Sequence, residues 1–221
     1  MPFIGYQMEG RLEVRLVSPW EENGNLWSYI RDNEVDEIQR LRFLQQSARG
    51  LAYLHGLTPP IAHGDMKTDN IIVRSDLTAA LSDFGISRII LDLDNPTGLT
   101  TATMGPAGTL RFQAPEILSG GLPSPSSDIY AMAGVILHVM SGEKPYGAMR
   151  NKHAIMLEIL KGVVPKPQDH ARLPEADPLW PFLRRCWDQT TGMRPVALDV
   201  VDEVGNGIDR RTIPDHAQMP E

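Results

Sequence analysis

An α+β fold, mostly helical with two small β-hairpins, is what the sequence predicts, and three observations carry that prediction. Apolar residues recur at spacings of three and four through 35–54, the signature of a long amphipathic helix. The stretch 129–140 is apolar on nearly every face, as a helix in the middle of a core would be. Short apolar runs at 71–73 and 77–81 flank Arg74-Ser75-Asp76 and read as a tight hairpin.

Composition bounds the rest. A chain of 221 residues suits one large domain, or one domain with an appendage. Hydrophobic residues make up 42%, with 4 Trp, 5 Tyr and 5 Phe, which is enough for a packed core and excludes wholesale disorder. The formal charge of −7 argues against a nucleic-acid partner, which calls for a basic face. The single cysteine, Cys186, excludes a disulfide framework and a multi-cysteine zinc site, and beside Trp187 it reads as a small core residue. The first residues show no charged start followed by an apolar run, and 129–140 is too short to span a bilayer. A cytoplasmic protein with no membrane span is the resulting expectation.

Each element follows in order. Residues 1–20 alternate loosely, with Leu12, Val14 and Leu16 against Arg11, Glu13 and Arg15, and predict a short hairpin. Glu21-Glu22-Asn23-Gly24 is a turn-rich connection. A helix then begins at Val35 and stops at Gly56, with Pro59-Pro60 beyond it. After the hairpin of 71–81, residues 86–113 are rich in Thr, Gly and Pro, and predict a long functional loop. Ser126-Ser127-Asp128 is placed to cap the apolar helix. Further helices are predicted around 151–161, 178–187 and 196–204, followed by a loose polar tail over 205–221.

The chemistry gathers around the 71–81 hairpin. His63-Gly64-Asp65-Met66-Lys67-Thr68-Asp69-Asn70 precedes its first strand, and Asp83-Phe84-Gly85 follows its second. In an antiparallel hairpin those two ends are neighbours, so Asn70 and Asp83 should sit side by side with Asp65 and Lys67 close by. Oxygen ligands of this kind suit a hard cation such as Mg2+, held with the help of substrate phosphates. The remaining histidines have no metal-ligand spacing.

H-x-D-x-K-x-x-N, then D-F-G, then Ala114-Pro115-Glu116 resembles the catalytic loop, metal loop and activation segment of eukaryotic protein kinases. The order of these motifs and the spacing from Asp65 to Asp83 make chance agreement remote. Gly108-Thr109, Asp128, Pro145-Tyr146, Cys186-Trp187 and Arg194-Pro195 extend the resemblance over 1–204, closest in style to the tyrosine-kinase-like group. The resemblance implies a mostly helical kinase-like C-lobe, with residual N-lobe strands and the start of the hinge in 1–20, the C-lobe in 21–204 and a polar tail in 205–221. It implies a serine/threonine kinase acting on protein hydroxyls with ATP and Mg2+. Asp65 would accept the hydroxyl proton, Lys67 would face the γ-phosphate, and Asn70 and Asp83 would hold Mg2+. Ser18 would be the gatekeeper, the backbone of Pro19 and Glu21 would face adenine, and Ile72 would floor its pocket. Lys67 and Thr109 point to serine and threonine as acceptors. Asp128, His63 and the Glu116–Arg194 pair are expected to be architectural, because buried charges need partners.

Two departures accompany the match. No G-x-G-x-x-G occurs among the 19 glycines, and no lysine precedes Lys67, so the upper half of the phosphate clamp is absent from this sequence. The expectation is a chain that begins in the fourth N-lobe strand, has very weak phosphotransfer by itself, and exposes an apolar edge at Phe3, Ile4 and Val14. A half-kinase that binds partners without catalysis is the alternative. The second departure is Gly64, where the family usually carries an arginine that clamps a phosphorylated activation loop.

Overall fold

The computed structural model describes residues 4–9, 13–83 and 109–212. Strands β1 (Gly5–Glu9) and β2 (Glu13–Val17) pair antiparallel, Gly5 opposite Val17 and Glu9 opposite Glu13, so the N-terminal hairpin forms as its alternation predicts. Ile4 at its start is 65% exposed, in line with an apolar edge there. Phe3 and the side chain of Val14 lie outside the described residues.

A short helix α1 (Leu26–Asp32) follows the connection, and sequence reasoning did not anticipate it. Its seven residues give too little periodicity to register, yet Asn25 caps it by accepting from the Ser28 amide, and Leu26 and Ile30, four apart, are buried. Helix α2 (Glu37–His55) starts two residues later than the apolar pattern suggests, because Asp36 caps it and accepts from the Gln39 amide. It buries Leu41, Leu44, Ala48, Leu51 and Leu54, the stripe the spacing predicts, and ends at Gly56.

The small hairpin comprises β3 (Ile71–Val73) and β4 (Ala79–Leu81), in register Ile71 to Leu81 and Val73 to Ala79. Its second strand begins at Ala79 and not at Leu77. Leu77 adopts a positive φ, and Thr78 bonds back to the Asp76 carboxylate through both amide and hydroxyl, so the turn absorbs both residues. Of the long loop predicted over 86–113, residues 84–108 lie outside the described residues, and Thr109–Phe112 forms a 3-10 turn leading into α3 (Pro115–Leu118).

Helix α4 (Pro125–Ser141) runs through the centre of the body, and every residue from Ser127 to Ser141 in it is buried. Its cap is Ser124, which exchanges hydrogen bonds with Ser127 in a capping box, not the Ser126-Ser127-Asp128 triplet expected. Asp128 therefore projects from the first turn of the helix and is free to bond elsewhere. Helices α5 (Lys152–Leu160) and α6 (Leu179–Cys186) fall where their patterns put them. Cys186 is fully buried, and burial pushes its thiol up to about 12, consistent with an inert core residue.

The helix predicted around 196–204 runs further than its pattern suggests. Helix α7 (Ala197–Thr212) continues eight residues past 204, so 205–212 is packed structure and not loose tail. Val204 and Gly207 are buried, and Arg211 reaches both Glu37 at 2.7 Å and Asp177 at 2.5 Å. The apolar residues thin out after Val204, which is why the pattern suggests an end there. Residues 213–221 lie outside the described residues. α7 lies antiparallel along α2, with Arg211 at the Glu37 end and Gln45 bonded to the Val201 carbonyl at 3.3 Å. Together α2, α4, α6 and α7 enclose the main core around Trp180, Phe43 and Ile136. Among the described residues no helix is long and apolar enough to cross a membrane.

Candidate active site

The loop from His63 to Asn70 runs over the first turns of α4, and the core helix fixes it from beneath. Asp128, 1% exposed, accepts the His63 amide on Oδ2 at 2.7 Å and the Gly64 amide on Oδ1 at 2.9 Å. His55 Nε2 lies 3.0 Å from the same Oδ2 and is its third donor. One turn from the other end of α4, His138 Nδ1 pairs with the Thr68 hydroxyl at 3.1 Å, and its ring stacks 4.0 Å from that of Trp27. Burial drives the pKa of His138 down to about 3, so it stays neutral. His63 is itself buried; its Nδ1 accepts the Asp65 amide at 3.3 Å, and burial lowers its pKa despite the carboxylates of Asp128 and Asp65. The architectural roles expected of His63 and Asp128 are what the contacts show. Gly64 has φ +82, and a Cβ there would meet Pro123 at 3.3 Å, so the loop is built for glycine at this position.

That scaffold sets the polar cluster predicted from the motif. Asp65 Oδ2 receives Lys67 Nζ at 2.5 Å and Asn70 Nδ2 at 2.9 Å, and Asn70 Nδ2 also donates to the Asp65 carbonyl at 2.8 Å. Lys67 Nζ donates as well to the Thr109 hydroxyl at 3.1 Å, bringing the segment before Ala114-Pro115-Glu116 against the loop. Asp65 Oδ1 is buried with no hydrogen-bond partner among the described residues. A carboxylate oxygen without a partner beside a lysine can accept an O–H that reaches it.

Asn70 ends the 3-10 turn Thr68–Asn70, and its carbonyl accepts from the Ser82 amide at 2.9 Å and hydroxyl at 3.1 Å. Asp83 follows Ser82, the residue bonded to Asn70, and is exposed with φ +56. Because the Asn70 amide nitrogen is turned toward Asp65, its amide oxygen is the atom left for a cation. One carboxamide oxygen and one exposed carboxylate form a sparse set, and among the described residues no group of three or more His, Cys, Asp or Glu could enclose a metal. This donor set fits Mg2+ held jointly with phosphate oxygens and does not fit a cation held by protein alone.

The hinge stretch is placed differently. Ser18 is exposed, Pro19 and Glu21 are half-buried, and Trp20 between them is 88% exposed. The stretch is strapped to the small hairpin by Val73 N–H to the Gly24 carbonyl at 3.0 Å, Asn23 Nδ2 to the Arg74 carbonyl at 2.8 Å and a bridge between Asn25 and Ile72. Ile72 thus lies on the strand that joins the hinge to the catalytic loop.

Behind the site, Arg194 and Glu116 form a two-pronged pair at 2.6 and 2.9 Å, with the Arg194 side chain fully buried, as expected of a structural tie. Sequence reasoning passed over Arg111. Its guanidinium donates to the carbonyls of Pro145, Tyr146 and Met149, anchoring the segment that carries Thr109 to the loop after α4. An arginine between Leu110 and Phe112, in a stretch otherwise turning inward, was the available signal. His55 was also missed, since nothing in its spacing marks it.

Comparison with known proteins agrees with this geometry. The chain is 28% identical over 192 residues to human ankyrin repeat and protein kinase domain-containing protein 1, covering 85% of this chain and 25% of that protein. It is 29% identical over 210 residues to activin receptor type-2A of Gallus gallus, covering 87% of this chain and 40% of the receptor. It is 30% identical over 192 residues to human ephrin type-A receptor 1, covering 84% of this chain and 18% of the receptor. The chain thus spans no more than two-fifths of the length of these relatives. The family model for protein tyrosine and serine/threonine kinases matches residues 1–204, and the chain belongs to that family.

Proposed function

We propose that this chain carries the catalytic lobe of a serine/threonine protein kinase, which transfers the γ-phosphate of ATP to a protein hydroxyl. The observation that carries the reading is the Asp65 carboxylate. Oδ2 is gripped by Lys67 and Asn70, while Oδ1 is buried and has no partner among the described residues. A substrate hydroxyl donating to Oδ1 would be oriented for in-line attack, and its proton would pass to that oxygen as the P–O bond forms. Lys67, two residues on, supplies positive charge where the transferred phosphoryl becomes most negative. Asn70 and Asp83 would hold Mg2+ against the phosphate oxygens, where the ion neutralises charge on the phosphates. Hinge backbone at Pro19 and Glu21 would face adenine above Ile72, and Ser18, exposed in this chain, would act as gatekeeper once an upper lobe covers it.

Serine or threonine as acceptor is supported by the Lys67–Thr109 contact, which sets the wall of the acceptor site. The family includes tyrosine kinases, so acceptor choice is the point to test. An upper lobe carrying a glycine-rich loop and a strand lysine, joined ahead of residue 1, supplies the rest of the phosphate clamp. The fusion should phosphorylate serine and threonine peptides in preference to tyrosine peptides with MgATP. A folded fusion that binds MgATP and transfers nothing to serine or threonine would contradict the reading and favour a partner-binding module.

A further inference from the structure

Between α2 and the small hairpin lies a cavity of about 250 Å3 that the proposed reaction does not use. The buried apolar residues Leu54, Ala80 and Leu81 line it, together with the exposed Tyr53 and the half-buried Arg74. Arg74 Nε is buried and has no hydrogen-bond partner among the described residues. We infer that this cavity is a docking site for an acidic segment of a partner protein, seating one large apolar side chain between its acids. The inference goes beyond the kinase reading and does not depend on it.

Charge around the cavity carries the argument. One face of α2 meets the hairpin: Gln39 Nε2 donates to the Leu77 carbonyl at 3.5 Å, and Gln46 Oε1 accepts the Ala79 amide at 2.7 Å. Arg42 falls between Gln39 and Gln46, and Arg49 between Gln46 and Tyr53. Each lies three residues after one and four before the next, so both flank the cavity's side of the helix. Both are exposed, and neither they nor Arg74 makes an ion pair among the described residues. The nearby acids are bonded elsewhere. Asp76 Oδ1 accepts from Thr78, Glu21 Oε2 accepts the Ser75 amide at 3.2 Å, and Glu37, the only acid in α2, pairs with Arg211. Three arginines thus surround one apolar cavity without carboxylate partners, in a chain whose net charge is −7. A buried guanidinium N–H without an acceptor is unfavourable, and a carboxylate matches the planar fork best. Arg42 and Arg49 stand about 10 Å apart along the helix, the reach of three residues of extended chain. The volume is ample for an aromatic ring, for which about 150 Å3 suffices.

Fluorescence anisotropy on the full chain, with a labelled peptide of sequence E-D-F-E-D, tests this. The peptide should bind, and its affinity should fall about tenfold or more in Arg74→Gln and in the double variant Arg42→Glu, Arg49→Glu. Urea midpoints of these variants should match the wild type, because none of the three side chains holds another element. E-D-A-E-D keeps the charge and lacks the ring, and should bind about tenfold more weakly. No binding at millimolar peptide would overturn the inference, as would wild-type affinity in the arginine variants or equal affinity for E-D-A-E-D. K-R-F-K-R binding as tightly as the acidic peptide would overturn it too, and so would tighter binding of a four-thymidine DNA strand. An affinity that rises about tenfold when residues 213–221 are removed would make a segment of this chain the occupant, and would overturn the assignment to a partner.

Discussion

The catalytic loop and the hinge stretch meet the two ends of the same strand, yet they are held in opposite ways. The loop is bolted to the core helix α4 by side chains from beneath: Asp128 takes the His63 and Gly64 amides, and His138 takes the Thr68 hydroxyl. The hinge is strapped to β3 by main-chain contacts at Gly24 and Asn25, with Ser18 and Trp20 left in solvent. The difference follows from what each must present. A loop that works through carboxylate, ammonium and carboxamide groups needs every side chain fixed to within a fraction of an ångström. In the proposed function the hinge faces adenine through peptide groups, so it needs only its backbone path, and among its side chains Asn23 is committed to the Arg74 carbonyl.

The comparison breaks most visibly at Asp128. Asp128→Ala leaves two loop amides and His55 without their acceptor in a buried site, and should lower stability by about 3–5 kcal/mol in urea denaturation. A loss below about 1 kcal/mol would mean that the loop does not depend on α4 as described.

The second anchor carries a pH signature. The pKa of His138 is about 3 in the folded chain against about 6.5 when unfolded, so between those values the unfolded state binds a proton that the folded state refuses. Stability should therefore fall as pH drops through that window, by about 3 kcal/mol at pH 4 from this residue. Burial lowers His63 and His170 as well, which adds slope of the same sign. Urea midpoints taken across the range should show a shallower acid slope for His138→Gln; an unchanged slope would remove this anchor from the account.

At the hinge the effect should nearly vanish. Trp20 is 88% exposed, and Trp20→Ala should shift stability by less than about 0.5 kcal/mol and leave MgATP affinity intact, read by calorimetry. A large loss of affinity would show that the hinge side chains do more than decorate the backbone.

Much of this contrast was legible in the sequence because the loop is coded by residue type. Asp65, Lys67, Asn70 and Asp83 are chemically distinctive at fixed spacing, and hairpin geometry alone brings Asn70 beside Ser82 and Asp83. The long helices were legible through periodicity, since α2 and α4 bury one stripe or every face. Ends were less so. The Ser124 cap competes with three downstream polar residues for the same role, and only backbone geometry decides among them. The extension of α7 to Thr212 rests on packing against α2 and on ion pairs of Arg211, neither of which a hydrophobic pattern records. His55 was invisible because its partner lies 73 residues away and a long-range hydrogen bond leaves no local signal, whereas Arg111, with partners 34–38 residues away, was marked only by its place between Leu110 and Phe112.

The proposed phosphotransfer turns on the oxygen of Asp65 left without a partner among the described residues. Phosphotransfer to a serine peptide by the upper-lobe fusion, compared between wild type and Asp65→Asn, tests it most directly. The substitution keeps the shape and the reach to Asn70 but replaces an ionised acceptor with an amide. The rate should fall by about a hundredfold to ten-thousandfold with MgATP affinity unchanged. An Asp65→Asn protein that transfers phosphate at the wild-type rate would contradict the account.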